Sequence, residues 1–134
     1  MWLNGDMNGV RVTEFLHVNV EVTDMERALA FYRLFGLEEV ERSGTPGRPG
    51  AWLRFPDGIE LHLSLGPARP PGRLHFAIMV EDLEATRAAV VGAGAPLESE
   101  REIPGVVRFF TRDPDDNRIE IAQRVEENNR SNHR

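Results

Sequence analysis

The chain is written twice. A shift of 58 residues lays His17 on His75, Val22 on Val80, Asp24 on Asp82, Met25 on Leu83 and Glu26 on Glu84. Further on, Pro56 falls on Pro114 and Asp57 on Asp115. Self-similarity at a fixed period means that one supersecondary unit is used twice, so the fold must divide into two like modules. At the end of the repeat the better string match is a shift of 60, with Ile59-Glu60-Leu61 on Ile119-Glu120-Ile121. That predicts a second turn two residues longer than the first.

Hydrophobic periodicity supplies the elements of each module. Glu14–Val22 alternates, with Leu16, Val18, Val20 and Val22 on one face and Phe15, His17, Asn19 and Glu21 on the other. Thr23-Asp24-Met25-Glu26 reads as a capping box with Thr23 at the cap, opening a helix to about Phe35 that Gly36 stops. Strands are expected at Leu37–Arg42, Ala51–Phe55 and Ile59–Leu65, with Ser43–Gly50 a loop and Pro56-Asp57-Gly58 a turn. The proline-rich Gly66–Gly72 is a linker. The order then restarts: strand Arg73–Val80, helix Asp82–Val91, a weak strand Leu97–Glu102, and strands Val106–Thr111 and Arg118–Gln123. The expected organisation is a lead-in (1–12), a β-α-β-β-β module (13–65), a linker (66–72), a second such module (73–124) and a frayed tail (125–134). The class is α+β: two tandem modules forming a cup-shaped mixed sheet with helices on its outer face.

Composition removes several kinds of function. With no cysteine, disulfides, thiolate zinc sites and Cys nucleophiles are excluded, and a metal site must use carboxylates and the four histidines. A net charge of −6 argues against a nucleic-acid backbone as partner. No apolar run approaches the roughly 18 residues of a membrane span. The N-terminus lacks the basic-then-apolar order of a signal peptide, so a cytoplasmic location is expected.

What remains is polar residues that repeat. A shared core accounts for the apolar matches but gives no reason for His17 and His75, or Glu60 and Glu120, to recur opposite it. Singly, each is an ordinary strand residue. Jointly, two imidazoles and two carboxylates make a metal site suited to Ni, Zn, Co, Mn or Fe(II), in which the carboxylates cancel a dication's charge. His62 has Ala122 at the matching place and reads as pocket lining, or less readily as an alternative ligand. Trp52 and Phe110 match, as do Arg54 and Arg112. By strand parity Trp52 and Arg54 share the face of Glu60, where an aromatic wall beside a cation suits a small anionic substrate. Trp52 packing the far core is an equal alternative.

These residues resemble the vicinal oxygen chelate superfamily, which includes glyoxalase I, bleomycin-resistance proteins, fosfomycin-resistance enzymes and extradiol dioxygenases. The resemblance covers about residues 13–124. It rests on Phe15-Leu16-His17-Val18-Asn19-Val20, Ala28–Gly36, Ile59-Glu60-Leu61, Leu74-His75-Phe76-Ala77 and Phe110–Ile121. It implies a cup around a divalent metal that chelates two neighbouring substrate oxygens, with His17, His75 and Glu120 as ligands. Glu60, taken at the fourth-strand position, points to the glyoxalase I branch, where Glu120 or Glu60 moves a proton α to a carbonyl. Glu21 and Ser64 stand where that branch has residues for glutathione, which argues against a glutathione substrate. Asp116 replaces the usual glycine of the last turn and is expected to be left-handed.

The expected function is therefore a metal-dependent lyase or isomerase acting on a small polar substrate, as a homodimer. The rival readings are a metal-free ligand-binding protein of the bleomycin-resistance type and an Fe(II) extradiol-type dioxygenase using His17, His75 and Glu120.

Overall fold

The computed structural model describes residues 9–42 and 49–125. The first eight residues of the lead-in, loop residues 43–48 and the tail from 126 onward lie outside the described residues. The elements run β1 (His17–Val22), α1 (Met25–Tyr32) with a 3-10 turn (Arg33–Phe35), β2 (Glu38–Val40), β3 (Ala51–Arg54) and β4 (Glu60–Leu65). They continue with β5 (His75–Met79), α2 (Leu83–Gly92), β6 (Val106–Arg112) and β7 (Arg118–Arg124). The class is the α+β fold expected from the repeat, but its strands form two sheets within the chain. One has the order β1-β4-β3-β2, the other β5-β7-β6. In each, the first strand runs parallel to the last, and the last pairs antiparallel with the one before it.

The expected strand Leu97–Glu102 shrinks to one bridge, Glu98 to Phe110. Pro96 and Pro104 bracket the segment, and prolines cannot donate to a ladder. The side chains of Glu98 and Glu100 bind arginines of β6 and β7 instead.

Helix capping also departs from expectation. Asp24, not Thr23, caps α1: its backbone is extended and its carboxylate accepts from the Arg27 N–H. Asp82 does the same for α2, accepting from Ala85. Thr23 is drawn away, donating its hydroxyl to Asp115 at 2.6 Å. Gly36 ends the 3-10 turn in the left-handed conformation (φ 71°), which glycine adopts without steric cost.

The register overturns the longer second turn. Phe55 N–H donates to Ile59 O at 2.8 Å, and Asp113 N–H donates to Asn117 O at 2.9 Å. Gly58 (φ 94°) and Asp116 (φ 66°) hold the same left-handed place. His17 lies opposite Glu60, and His75 lies opposite Arg118. Trp52 lies opposite His62, and Phe110 lies opposite Glu120. The shift of 58 therefore persists to the end of both modules. Glu120 is the counterpart of His62, and Glu60 is the counterpart of Arg118.

α1 packs on β4, α2 packs on β6 and β7, and the 3-10 turn after α1 meets α2. The apolar strand faces and both helices share one core. It joins Val20, Val22, Leu61 and Leu63 to Phe109, Ile119 and Ile121 through Phe31, Tyr32, Leu83 and Val90. Truncating a buried Leu or Ile of this cluster to Ala should cost about 2–5 kcal/mol.

A polar clasp crosses the core. Asp113 Oδ1 accepts from the N–H groups of Asp115 (2.8 Å) and Asn117 (3.0 Å). Its Oδ2 accepts from Tyr32 Oη (2.6 Å) and Asn117 Nδ2 (2.9 Å). Asn117 Nδ2 also donates to Glu21 O at 2.9 Å, tying the second module's last turn to the first module's β1. Burial, reinforced by the Asp113 carboxylate, holds the Tyr32 phenol well above its ordinary pKa. Among the described residues, no helix is long and apolar enough to cross a membrane.

Candidate functional site

Period-2 alternation turns the polar residues of both sheets away from the core. On the first sheet this gathers His17, Trp52, Arg54, Glu60 and His62. The His62 ring is sandwiched: it stacks on His17 at 4.0 Å and 15°, and on Trp52 at 4.2 Å and 5°. Trp52 thus lies on the polar face, against the alternative that it packs the far core. The His62 Nε2–H donates to Glu60 Oε1 at 2.9 Å, while Arg54 Nη2 and Nε donate to Glu60 Oε2 at 2.9 and 3.3 Å. Both oxygens of Glu60 are engaged. The His62 bond, followed by the Arg54 bond, lowers its pKa.

On the second sheet His75 and Glu120 come together. The His75 Nδ1 lies 2.9 Å from the Arg73 carbonyl oxygen. A carbonyl only accepts, so Nδ1 carries the proton, and in the neutral ring the Nε2 lone pair is free. That Nε2 lies 3.4 Å from Glu120 Oε1. Two acceptors facing each other at this distance call for a proton or a cation between them. The other Glu120 oxygen is 3.2 Å from Arg108 Nη1.

Phe110, expected to line the pocket, is only 2% exposed and lies beneath this half. The Arg118 guanidinium sits over its ring at 3.9 Å, and His75 meets it edge-on at 5.2 Å. Arg118 and Arg112 in turn bind Glu98, and Arg118 also binds Glu100. Those arginine bonds lower the pKa of both glutamates. Sequence reading passed over Arg108 and Arg118. Arg108 has Gly50 as its counterpart and so gave no repeat signal, and Arg118 was hidden by the misplaced shift.

The four expected ligands do not meet within one chain. His17 and Glu60 belong to one cluster, His75 and Glu120 to another, and among the described residues no three His, Asp or Glu are placed to hold a metal ion. Each half does carry nitrogen and oxygen donors of the borderline-hard kind. Among the described residues, β1 and β5 each end their sheet, leaving one side without a strand partner. Beside these edges Phe15, Leu16, Leu74 and Met79 are exposed, Leu74 at 93%. A cleft of about 580 Å³ opens there, lined by Phe15, Val18, Ile59, His75, Phe76 and Met79 among others.

Known structures share this architecture. A putative glyoxalase family protein from Bacillus anthracis is 26% identical, with a TM-score of 0.74 over 87% of this chain and 98% of that one. A glyoxylase/bleomycin resistance protein/dioxygenase domain from Frankia sp. EAN1pec is 20% identical, with a TM-score of 0.68 over 86% and 100%. A variant of the fosfomycin resistance protein FosX from Listeria monocytogenes, complexed with Mn(II) and 1S,2S-dihydroxypropylphosphonic acid, is 17% identical, with a TM-score of 0.74 over 89% and 98%. The latter two likenesses establish the fold alone. None of the curated protein sequences compared with the chain matches it. The family model for the Glyoxalase/Bleomycin resistance protein/Dioxygenase superfamily matches residues 14–121. On that match, with two like modules of strand, helix and returning strands beneath it, the chain belongs to this superfamily.

Proposed function

We propose that the chain is a metal-dependent lyase or isomerase of glyoxalase type, working as a homodimer on a small substrate held through two neighbouring oxygens. The observation that carries this reading is the His75–Glu120 pair, in which Nε2 lies 3.4 Å from a carboxylate oxygen while Nδ1 is bonded to the Arg73 carbonyl. Its Nδ1–H bond to a backbone carbonyl is the arrangement that sets the tautomer of metal-ligating histidines. His75 and Glu120 of one copy, with His17 of the other, would hold a divalent ion (Ni, Zn, Co, Mn or Fe(II)). The open edges of β1 and β5 and the apolar residues beside them support such a pairing of copies. When bound, the ion supplies a Lewis acid that polarises a carbonyl oxygen and acidifies the neighbouring C–H.

Glu60 then has a role other than ligand. It sits two residues before the register position of Glu120, with His62 and Arg54 holding it ionised. It is the group that accepts the proton and returns it once His62 or Arg54 releases one of its oxygens, while Trp52 and the His62 ring present a flat wall beside it. In heavy water, the metal-loaded protein should exchange the α-hydrogen of its substrate among a panel of α-hydroxy and α-oxo compounds. Glu60→Gln should slow that exchange at least about 100-fold while leaving the thermal midpoint within a few degrees. Exchange at an unchanged rate would remove Glu60 from the mechanism. Protein that neither retains metal when purified without chelators nor takes any up afterwards would leave only the metal-free binding protein.

One observation favours a second reading. The register counterpart of Glu120 is His62, whose ring is stacked and bonded elsewhere, leaving His17, His75 and Glu120 as a three-donor set. The resemblance associates such a set with oxygen-activating and fosfomycin-type members. Oxygen uptake with a catechol by Fe(II)-loaded protein would decide for it; none would leave the lyase or isomerase reading.

A further inference from the structure

Arg108 lies outside the arginine–glutamate network beside the second sheet. Arg73, Arg112 and Arg118 share Glu98 and Glu100 in one network of three guanidiniums and two carboxylates. The only carboxylate that Arg108 meets among the described residues is Glu120. Its guanidinium is largely withdrawn from water, with the side chain 14% exposed. Nη2 donates to the Arg101 carbonyl at 2.7 Å, and the plane lies over Phe110 at 5.2 Å, so it is fixed in place. Nε is buried without a partner.

A desolvated guanidinium in this position keeps a strong demand for an anion. Glu120 answers it only while that carboxylate is not shared with a cation. A dication held through Glu120 Oε1 would draw on the same carboxylate charge that Arg108 meets at Oε2, leaving Arg108 with less than a full counter-charge beside the site. We infer that the substrate carries an anionic oxygen group (carboxylate, phosphate or phosphonate) beside its chelating oxygens, and that Arg108 is the residue that takes it. This rests on the metal reading proposed above and narrows it to a substrate class. Arg108 is then a specificity residue, taking the substrate's anionic group alongside Glu120 as the site fills.

The test compares two probes with the same hydroxyketone head, dihydroxyacetone phosphate and dihydroxyacetone, titrated calorimetrically into Mn(II)-loaded protein. The wild type should bind the phosphate ester at least tenfold more tightly. Arg108→Met should reduce that preference below threefold while Mn(II) affinity, read by electron paramagnetic resonance, stays within threefold. Arg108→Lys should keep part of the preference, because it keeps the charge and loses the planar fork. Mn(II) uptake with no preference in the wild type, or a preference that survives Arg108→Met, overturns this inference and leaves the metal reading standing. Failure of the wild type to take up Mn(II) overturns both.

Discussion

The two modules share a backbone and differ in what they mount on it. Their last turns make the same hydrogen bond, their first and last strands pair alike, and their first strands carry histidine at the same place, while the β2 ladder is reduced to one bridge in the second module. Around that histidine the residues diverge: Trp52, Arg54, Glu60 and His62 on one sheet stand against Phe110, Arg112, Arg118 and Glu120 on the other. The first face is an aromatic stack with a carboxylate locked by two donors. The second is an arginine-capped face whose carboxylate has an oxygen 3.4 Å from the His75 Nε2. Strand core positions such as Val22 and Val80, or Leu61 and Ile119, answer to packing and stay apolar in both copies. Polar positions answer to nothing in the core and are free to specialise.

The sharpest way to break that contrast is metal affinity. Glu120→Gln or His75→Ala should lower Mn(II) affinity more than about 100-fold, whereas Glu60→Gln should lower it no more than about 10-fold, the cost of a supporting residue. Calorimetric titration of the three variants checks this. Equal losses at Glu60 and Glu120 would restore the symmetric four-ligand site and remove the division of labour.

The turns offer a second contrast, in stability. Asp113 is 3% exposed and accepts four hydrogen bonds, while its counterpart Phe55 accepts none through its side chain. Asp113→Ala strands several buried donors and should cost roughly 3 kcal/mol in urea unfolding. Tyr32→Phe leaves Asp113 Oδ2 its bond to Asn117 and should cost about 1 kcal/mol. If Asp113→Ala costs less than Tyr32→Phe, the clasp is not what joins the modules.

Tyr32 also gives this clasp a signature in pH. A phenol whose folded pKa is raised binds its proton more tightly in the folded state. Its contribution is therefore complete below the unfolded value near 10 and is lost as pH rises towards the folded one. Tyr32 is the sole tyrosine, all 16 Lys+Arg residues are arginine, and cysteine is absent. Hence no other side chain loses a proton in that window. Stability should fall above about pH 10, with tyrosinate absorbance rising together with unfolding. Tyr32→Phe should flatten that limb; a tyrosinate signal from folded protein would mean the phenol is not held as the structure places it.

Much of the fold was legible because burial writes itself into periodicity: alternation located the strands, and the 58-residue repeat located both helix starts. The misplacement of Glu60 has an equally physical cause. Side chains on a strand alternate with period 2, so a shift of 60 puts the same residues on the same face as a shift of 58. Facing could not separate the two, and the likeness of Ile-Glu-Leu to Ile-Glu-Ile chose the wrong one. Only the turn hydrogen bonds, Phe55 to Ile59 and Asp113 to Asn117, distinguish them. The separation of the two half-sites was illegible for another reason. It depends on how the modules pack through Tyr32, Leu61, Phe76 and Ile119, whose hydrophobicity reports that they are buried and not against what.

The smallest expected effect is the control for the whole comparison. Asp24 and Asp82 are repeated residues with repeated work, each accepting from the N–H three residues on at 3.0 Å. Each cap satisfies one donor at an exposed helix start, worth about 1 kcal/mol. Asp24→Ala and Asp82→Ala should therefore cost the same within roughly half a kcal/mol, and the double variant should cost their sum. Urea unfolding of the three proteins measures it. If the caps prove as unequal as Asp113 and Phe55, the modules have diverged in their framework as well as in their faces. Unequal effects at the polar faces could then no longer be assigned to chemistry alone.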